Sequence, residues 1–372
     1  MKRICFFGCD FQMGGASGVT VNLINELCKK YSVYMVAAYD NENTAYGKDN
    51  VAPCVKYHNF GIDNISVLKN RKKVLPLFEK FLKENDIDIV YAVGYYAAFY
   101  IAPIIRRNKK CKYVYIEHGA PANQISDKKG TIMRMISVRA HDITVALTKR
   151  SEHDFVKLIK ANPKKVITIH NWVVLNEEDR SIKYDISCKK LLSVGRLASE
   201  KGFDMLADIA SDVLKGCPDW EWHIIGDGPD REKFEAKIAE YGLENNIVMH
   251  GAVTDAVKCF GEYSVMVLTS YREGLPLVLL EAKSKKLPCV SFDVVTGPAE
   301  IIRDGVNGYL IPPYDKKLFA DRLCELMEND SLRQSFSDNA YLDIEKFEKD
   351  EILGQWIDLT ERLTAEKSKN NR

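Results

Sequence analysis

Apolar runs of three to five residues alternate with amphipathic stretches along nearly the whole chain, and this alternation leaves few folds open. A strand followed by a helix and then another strand is the unit of a parallel sheet, because parallel neighbours need a crossover between them. The first series of strands is expected at residues 4–7, 34–38, 89–92, 113–117, 143–146 and 166–169. Helical periodicity falls between them, for example at 18–30, 74–85 and 130–140. A second series follows at 190–194, 222–225, 247–249, 265–268, 288–292 and 308–311, with helices at 203–214, 230–241, 276–286 and 317–329. Residues 173–190 lack periodicity, carry Glu177-Glu178-Asp179, and read as an interdomain connection. The chain therefore divides into two Rossmann-like domains, 1–171 and 172–354. An amphipathic C-terminal segment at 355–365, with no strand after it, is expected to pack back on the first domain as a helix over about 355–372.

Two sheets of this kind place their ligands outside the carboxyl ends of the strands, so the loops there are where chemistry is sought. The loop after strand 265–268 reads Tyr271-Arg272-Glu273-Gly274-Leu275-Pro276 and runs into an apolar helix carrying Glu281. Pro276 suits the first helical position because it needs no N–H. The free N–H groups of Leu277 and Val278 would then point at an anion, assisted by the helix dipole. The strand at 190–194 is followed by Arg196 and Lys201, two cations five residues apart that suit a diphosphate. In the first series, Gly14-Gly15 follows the first strand and would let a phosphate or sugar approach the backbone. His118, after Glu117, ends the strand at 113–117 on its carboxyl edge. Gly226-Asp227-Gly228-Pro229 and Gly251-Ala252-Val253 end two further strands.

Charge and cysteines narrow the setting. Residues 1–171 carry 27 basic and 15 acidic side chains (+12), and residues 172–372 carry 26 and 37 (−11). A basic front half suits an anionic membrane surface or a polyanionic partner. The basic clusters lie at 69–73, 106–112 and 128–139, with Tyr95, Tyr96, Phe99 and Tyr100 near them in sequence. No nucleic-acid recognition motif accompanies the charge, and no nucleic-acid partner is expected. The ten cysteines are scattered without a Cys-x-x-Cys pair, which reads as reduced thiols in a cytoplasmic protein with no zinc site. No apolar run reaches the length of a membrane span, and the apolar start is too short for a signal peptide.

At Glu273-x7-Glu281, followed by Gly297-Pro298-Ala299-Glu300 and Asn307-Gly308, the chain resembles the retaining GT-B glycosyltransferases of family 4. Val194-Gly195-Arg196 with Lys201-Gly202 matches a second motif of that family, and Gly14-Gly15-Ala16 resembles its donor-closing loop. The resemblance implies an α/β GT-B fold, two Rossmann-like domains facing across a central cleft. It implies transfer of a hexose or N-acetylhexosamine from a nucleotide sugar, with UDP expected. The acceptor would be a saccharide, lipid-linked through polyprenyl diphosphate, in bacterial capsule, exopolysaccharide or O-antigen synthesis. Neither metal nor cofactor is implied. Arg196, Lys201, Gly14, Gly15, Leu277 and Val278 would hold the donor diphosphate, and Glu281 and Val253 the nucleoside. Glu273 and His118 would be catalytic. Gly226–Pro229 resembles a loop lining the nucleotide pocket, and His170-Asn171 the interdomain crossover. The chain departs from the family at Ser17-Gly18, where a charged residue is usual. It departs again at Ala282-Lys283-Ser284-Lys285-Lys286, where small residues are usual and where a changed surface is expected. A GT-B nucleotide-sugar epimerase and a non-catalytic sugar-nucleotide sensor remain alternatives. A dinucleotide oxidoreductase is disfavoured by the glycine spacing after the first strand.

Overall fold

The computed structural model describes every residue except 13, 40–45, 64–65 and 371–372, and no side chains over 366–370. Met13, in the first glycine loop, and the end of the Lys/Asn-rich tail thus lie outside the described residues. The chain forms two compact units, Met1–Asn171 with Asp350–Arg372, and Trp172–Lys349.

The first unit runs β1 (Arg3–Gly8), α1 (Gly15–Leu27), β2 (Ser32–Ala37), α2 (Tyr46–Asn50), β3 (Lys56–Asn59), α3 (Val67–Asn85), β4 (Ile89–Val93), α4 (Gly94–Arg107), β5 (Lys112–Glu117), α5 (Lys128–Ala140), β6 (Ile143–Ala146), α6 (Lys149–Lys157) and β7 (Val166–Thr168). All strands pair in parallel, in the order β3-β2-β1-β4-β5-β6-β7. The order reverses between β1 and β4, the position where such sheets open a ligand crevice. Strand β3 escaped the periodicity because Lys-Tyr-His-Asn is polar and only half-covered, as an edge strand can be.

The second unit runs α7 (Glu177–Ser181), β8 (Lys190–Val194), α8 (Phe203–Gly216), β9 (Glu221–Ile225), α9 (Arg231–Tyr241), β10 (Ile247–Gly251), β11 (Val265–Leu268), α10 (Leu277–Ser284), β12 (Cys289–Phe292), α11 (Pro298–Ile301), β13 (Gly308–Ile311), α12 (Lys316–Glu328) and α13 (Asp330–Asp338). Its sheet order is β10-β9-β8-β11-β12-β13, again parallel, with the reversal between β8 and β11. Trp222, Leu206, Val267 and Phe319 are fully or almost fully buried at its core. The segment read as a bare connection contains α7, started by a reciprocal Asn176–Asp179 capping box. Asp179 is buried and ion-paired to Lys285.

The last helix, α14 (Lys349–Asn370), starts six residues before the periodicity suggested and from Asp350 onward belongs to the first unit. Trp356 meets the Tyr91 ring edge-on at 5.8 Å. Thr360 gives its proton to the Trp356 carbonyl, so the Tyr91 hydroxyl donates to Thr360 at 2.6 Å. Tyr31 donates to Glu361 at 2.7 Å, and Lys2 pairs with the same carboxylate.

Three further expectations are corrected. Cys28 and Cys54 form a disulfide with a Cα separation of 6.4 Å, so not all ten cysteines are free thiols; a separation of 26 residues gives no sequence signal for it. Phe99 and Tyr100 are core residues, 5% and 1% exposed, and cannot contribute to a lipid-facing surface. Lys283 and Ser284 are buried rather than part of a changed surface. The Lys283 ammonium donates to the Ile301 and Leu342 carbonyls, and burial lowers its pKa to about 8. Among the described residues, no helix is long and apolar enough to cross a membrane.

Candidate functional site

Each unit carries part of the expected site at its own strand-order reversal. In the second unit the loop after β8 bears Arg196 and ends in a tight turn, Ser199–Lys201, closed by Gly202. Gly202 has φ +66, and a Cβ there would collide with the Thr269 carbonyl. The Thr269 hydroxyl in turn donates to the Gly202 carbonyl at 3.0 Å. These contacts lock the loop after β8 onto the loop after β11 and deliver Lys201 to Glu273. Lys201 Nζ lies 2.7 Å from Glu273 Oε1, which also accepts from Ser270 Oγ at 2.6 Å. The Glu273 side chain is 8% exposed and that of Lys201 27%. Ser270 was not anticipated. A hydroxyl three residues before the glutamate is the only signal it left in the sequence.

Helix α10 begins beside this pair. Pro276 is its N-cap (ψ 104), one position earlier than expected, so Leu277 is the first helical residue. No side-chain cap and no acidic residue occupies the first turn, which leaves the N–H groups of Leu277 and Val278 for an outside acceptor. Gly297 (φ +106) packs against this turn, where a Cβ would stand 2.6 Å from the Gly274 carbonyl oxygen and 2.7 Å from Pro276 Cδ. Glu281 lies one turn into the helix. Burial raises its carboxyl pKa, and among the described residues it has no side-chain hydrogen bond or ion pair. Arg196 is exposed and equally without a side-chain partner among them. Val253, 46% exposed, sits beyond Gly251 at the end of β10. Asn307 is buried and accepts from the Arg303 N–H at 2.9 Å, which makes it a turn-builder before β13.

In the first unit α1 starts at Gly15 with Gly14 as N-cap, again with no side-chain cap and no acid in its first turn. Among the described residues, a Cβ on either glycine would meet nothing within 4 Å. His118, after β5, reaches α1 through Thr20. The Thr20 hydroxyl spends its proton on the Ala16 carbonyl (2.8 Å) and so accepts from His118 Nε2 at 3.1 Å. The network thereby places the imidazole proton on Nε2 and leaves Nδ1 as an acceptor. Burial lowers the His118 pKa to about 4, against an opposing pull from Glu117. Glu117 is itself a structural anchor. It accepts from Arg134 Nε (2.9 Å), the Tyr115 hydroxyl (2.5 Å) and the Gly119 N–H (3.2 Å), and it fixes the loop that carries His118. Thr20 also escaped the sequence reading, because a threonine inside a helix carries no distinguishing pattern. His170 Nδ1 meets the Leu147 carbonyl at 2.8 Å. Among the described residues, no group of three or more His, Cys, Asp or Glu side chains converges in a way that could hold a metal ion.

Comparison with known proteins adds the lineage. Residues 13–177 match the family described as Glycosyltransferase Family 4, and residues 177–343 match Glycosyl transferases group 1. The chain thus carries two glycosyltransferase domains in series, in the GT-B fold, and has glycosyltransferases as its homologues. It is 26% identical over 351 residues to the poly(ribitol-phosphate) alpha-N-acetylglucosaminyltransferase of Staphylococcus aureus, covering 91% of this chain and 68% of that one. A Campylobacter jejuni relative is named as an alpha-1,4-N-acetyl-D-galactosaminyltransferase acting on GalNAc-alpha-(1->4)-GalNAc-alpha-(1->3)-diNAcBac-PP-undecaprenol. It is 24% identical over 365 residues, 96% of this chain and 98% of that one. The structure of Anabaena HepE in complex with UDP and glucose superposes with a TM-score of 0.79 at 18% identity, covering 97% of this chain and all of that one, a likeness of fold.

Proposed function

We propose that the protein is a retaining, metal-independent glycosyltransferase. It takes a hexose or N-acetylhexosamine from a UDP-sugar and adds it to a saccharide acceptor carried on polyprenyl diphosphate at the inner face of a bacterial membrane. The observation that carries this is the Lys201–Glu273 pair beside the uncapped start of α10, at the strand-order reversal of the second sheet. A cation, a carboxylate and free backbone N–H groups together suit a sugar diphosphate. The relative solved with UDP and glucose and the relative named for an undecaprenyl diphosphate acceptor support the two substrate classes.

In this mechanism the bond between the anomeric carbon and the β-phosphate oxygen breaks, and its electron pair leaves on UDP. Arg196, Lys201 and the N–H groups of Leu277 and Val278 neutralise that charge, with Gly14 and Gly15 approaching the diphosphate by their backbone. The acceptor oxygen bonds to the anomeric carbon from the face that UDP leaves, and its proton passes to the departing phosphate oxygen. Glu273 holds the sugar and stabilises its developing positive charge, His118 orients sugar or acceptor through Nδ1, Glu281 holds the ribose, and the Val253 loop holds the base.

Membrane contact is assigned to α3 and α5, which both pack on α4. Their solvent faces combine Leu68 (65% exposed), Leu77 (40%), Ile132 (56%) and Ile136 (37%) with exposed Lys69, Lys72, Lys73, Lys128, Lys129 and Arg139. Apolar side chains framed by cations suit an anionic lipid surface.

The test is incubation with labelled UDP-glucose, UDP-galactose, UDP-GlcNAc and UDP-GalNAc and polyprenyl-diphosphate-linked saccharides, with EDTA present, followed by NMR of the product. A new linkage with the donor's anomeric configuration is expected. An inverted linkage, or activity abolished by EDTA and restored by a divalent cation, contradicts the mechanism. Consumption of the UDP-sugar without a glycoside product favours the epimerase alternative.

A further inference from the structure

One polar cluster plays no part in the chemistry above. His223, in the middle of β9 and only 8% exposed, hydrogen-bonds through Nδ1 to His250 Nε2 at 2.8 Å and through Nε2 to the Glu221 carboxylate at 2.9 Å. The imidazoles stack with centroids 5.0 Å apart, and Tyr263 closes on His223 edge-on at 5.2 Å. Position 250 is not an ordinary strand position. Met249 pairs with Ile224 and Gly251 with Ile225, so His250 is the extra residue of a β-bulge. Bulges re-aim the chain that follows. Here the next residue is Gly251 (φ +70), whose carbonyl accepts from the Gly226 N–H at 2.7 Å, and the chain then leaves as the loop with Val253.

We infer that His223 and His250 are positioning residues: their mutual hydrogen bond pins the bulge and so sets the Gly251–Val253 loop for the nucleoside of the donor, a latch that opens in acid. This rests on the donor-site assignment above. The proton logic follows from the partners. A carboxylate only accepts, so His223 Nε2 is the donor to Glu221, and in the neutral ring His223 Nδ1 accepts from His250 Nε2–H. One added proton is tolerated, because a single imidazolium can still share the bond with the free ring nitrogen of a neutral partner. A second proton sets N–H against N–H, and the bond is lost. The groups that face the pair are Glu221 on β9, Lys190 on β8, and Tyr263 after the turn that precedes β11, with Cys259 and Glu262 against that tyrosine. Burial, the neighbouring His223 and Lys190 all lower the His250 pKa, which places the opening below neutral pH.

The experiment measures UDP affinity of the full chain by calorimetry from pH 8 to 5, for wild type, His250→Ala and His250→Gln. UDP itself titrates in this range, so the readout is the difference between variants. Wild type should lose about tenfold more affinity toward pH 5 than His250→Gln, whose amide donates to His223 without titrating. His250→Ala should be weakened several-fold at pH 8, with the same flattened profile. Profiles that superimpose on wild type overturn the latch. A second readout needs no ligand: amide exchange at Gly226 should quicken about tenfold in His250→Ala, and unchanged protection there also overturns it. Absence of UDP binding in wild type while Gly226 responds contradicts the donor assignment and leaves the latch standing as a device that holds the bulge.

Discussion

Lys201 Nζ stands 2.7 Å from Glu273 Oε1, so the cation assigned to the departing diphosphate and the carboxylate assigned to the sugar form one ion pair. Each holds the other in place inside a half-buried turn. Removing either partner strands the other, which is costlier than never having had the pair. Lys201→Met should lower kcat/KM by about 10²–10³ and destabilise the second unit by roughly 1–3 kcal/mol. Glu273→Gln keeps hydrogen-bonding capacity, so it should fold normally and lose kcat. Steady-state kinetics and urea unfolding measure both.

Gly202 is the hinge that makes the pair. Gly202→Ala forces a Cβ into the Thr269 carbonyl at φ +66, and the left-handed backbone alone adds about 1–2 kcal/mol of strain. The variant should melt earlier and bind UDP at least tenfold more weakly, because Lys201 is displaced. A melting temperature and a UDP affinity equal to wild type contradict the geometry.

Two imidazoles, that of buried His141 and that of half-buried His118, set an acid limit on the fold. Burial lowers the His118 and His141 pKa values to about 4, below the unfolded value of about 6.5. The unfolded chain therefore takes up protons first as pH falls. The stability held by the neutral rings is complete above about pH 6.5 and is lost toward pH 4, by about 2 kcal/mol per ring between pH 7 and 5. Urea unfolding at pH 7 and 5 should show this loss, and His141→Asn should reduce it. His118, neutral throughout, should leave no ionisation of its own in kcat/KM between pH 6 and 8.

How much of this was legible in the sequence depends on what each element announces. Strands buried on both faces, such as β6 and β12, read directly because every residue is apolar or small. Edge strand β3 and the five-residue α7 did not, because a polar strand and a single capped turn carry no period. Arg196, Lys201, Glu273 and Glu281 stood out as charges at strand ends. Their pairing did not, because Lys201 and Glu273 are 72 residues apart and meet where the loops after β8 and β11 lock together at Gly202 and Thr269. The burial of Lys283 was hidden for a related reason. Three lysines in five residues look like surface, and only the fold supplies the Ile301 and Leu342 carbonyls that hold one of them inside.

The C-terminal helix should matter to the first unit. Trp356, 4% exposed, packs on Tyr91, and Trp356→Ala should cost about 3–5 kcal/mol. Denaturation followed by a probe in that unit should show the loss, while the second unit keeps its midpoint.

On the membrane side, Ile132→Glu with Ile136→Glu should abolish co-sedimentation with phosphatidylglycerol vesicles and leave UDP affinity intact. Wild-type binding should weaken with salt, since lysines contribute to it. Equal binding to phosphatidylcholine vesicles would contradict the assigned surface.

The most direct test of the donor site is calorimetric titration of UDP into the full chain, into Arg196→Ala and into Glu281→Ala. The account predicts one site in the wild type, weakened at least tenfold in either variant, since each removes a side chain that has no protein partner among the described residues and is assigned to the donor. Failure of the wild type to bind UDP, GDP or ADP, or equal affinity in all three proteins, would contradict it.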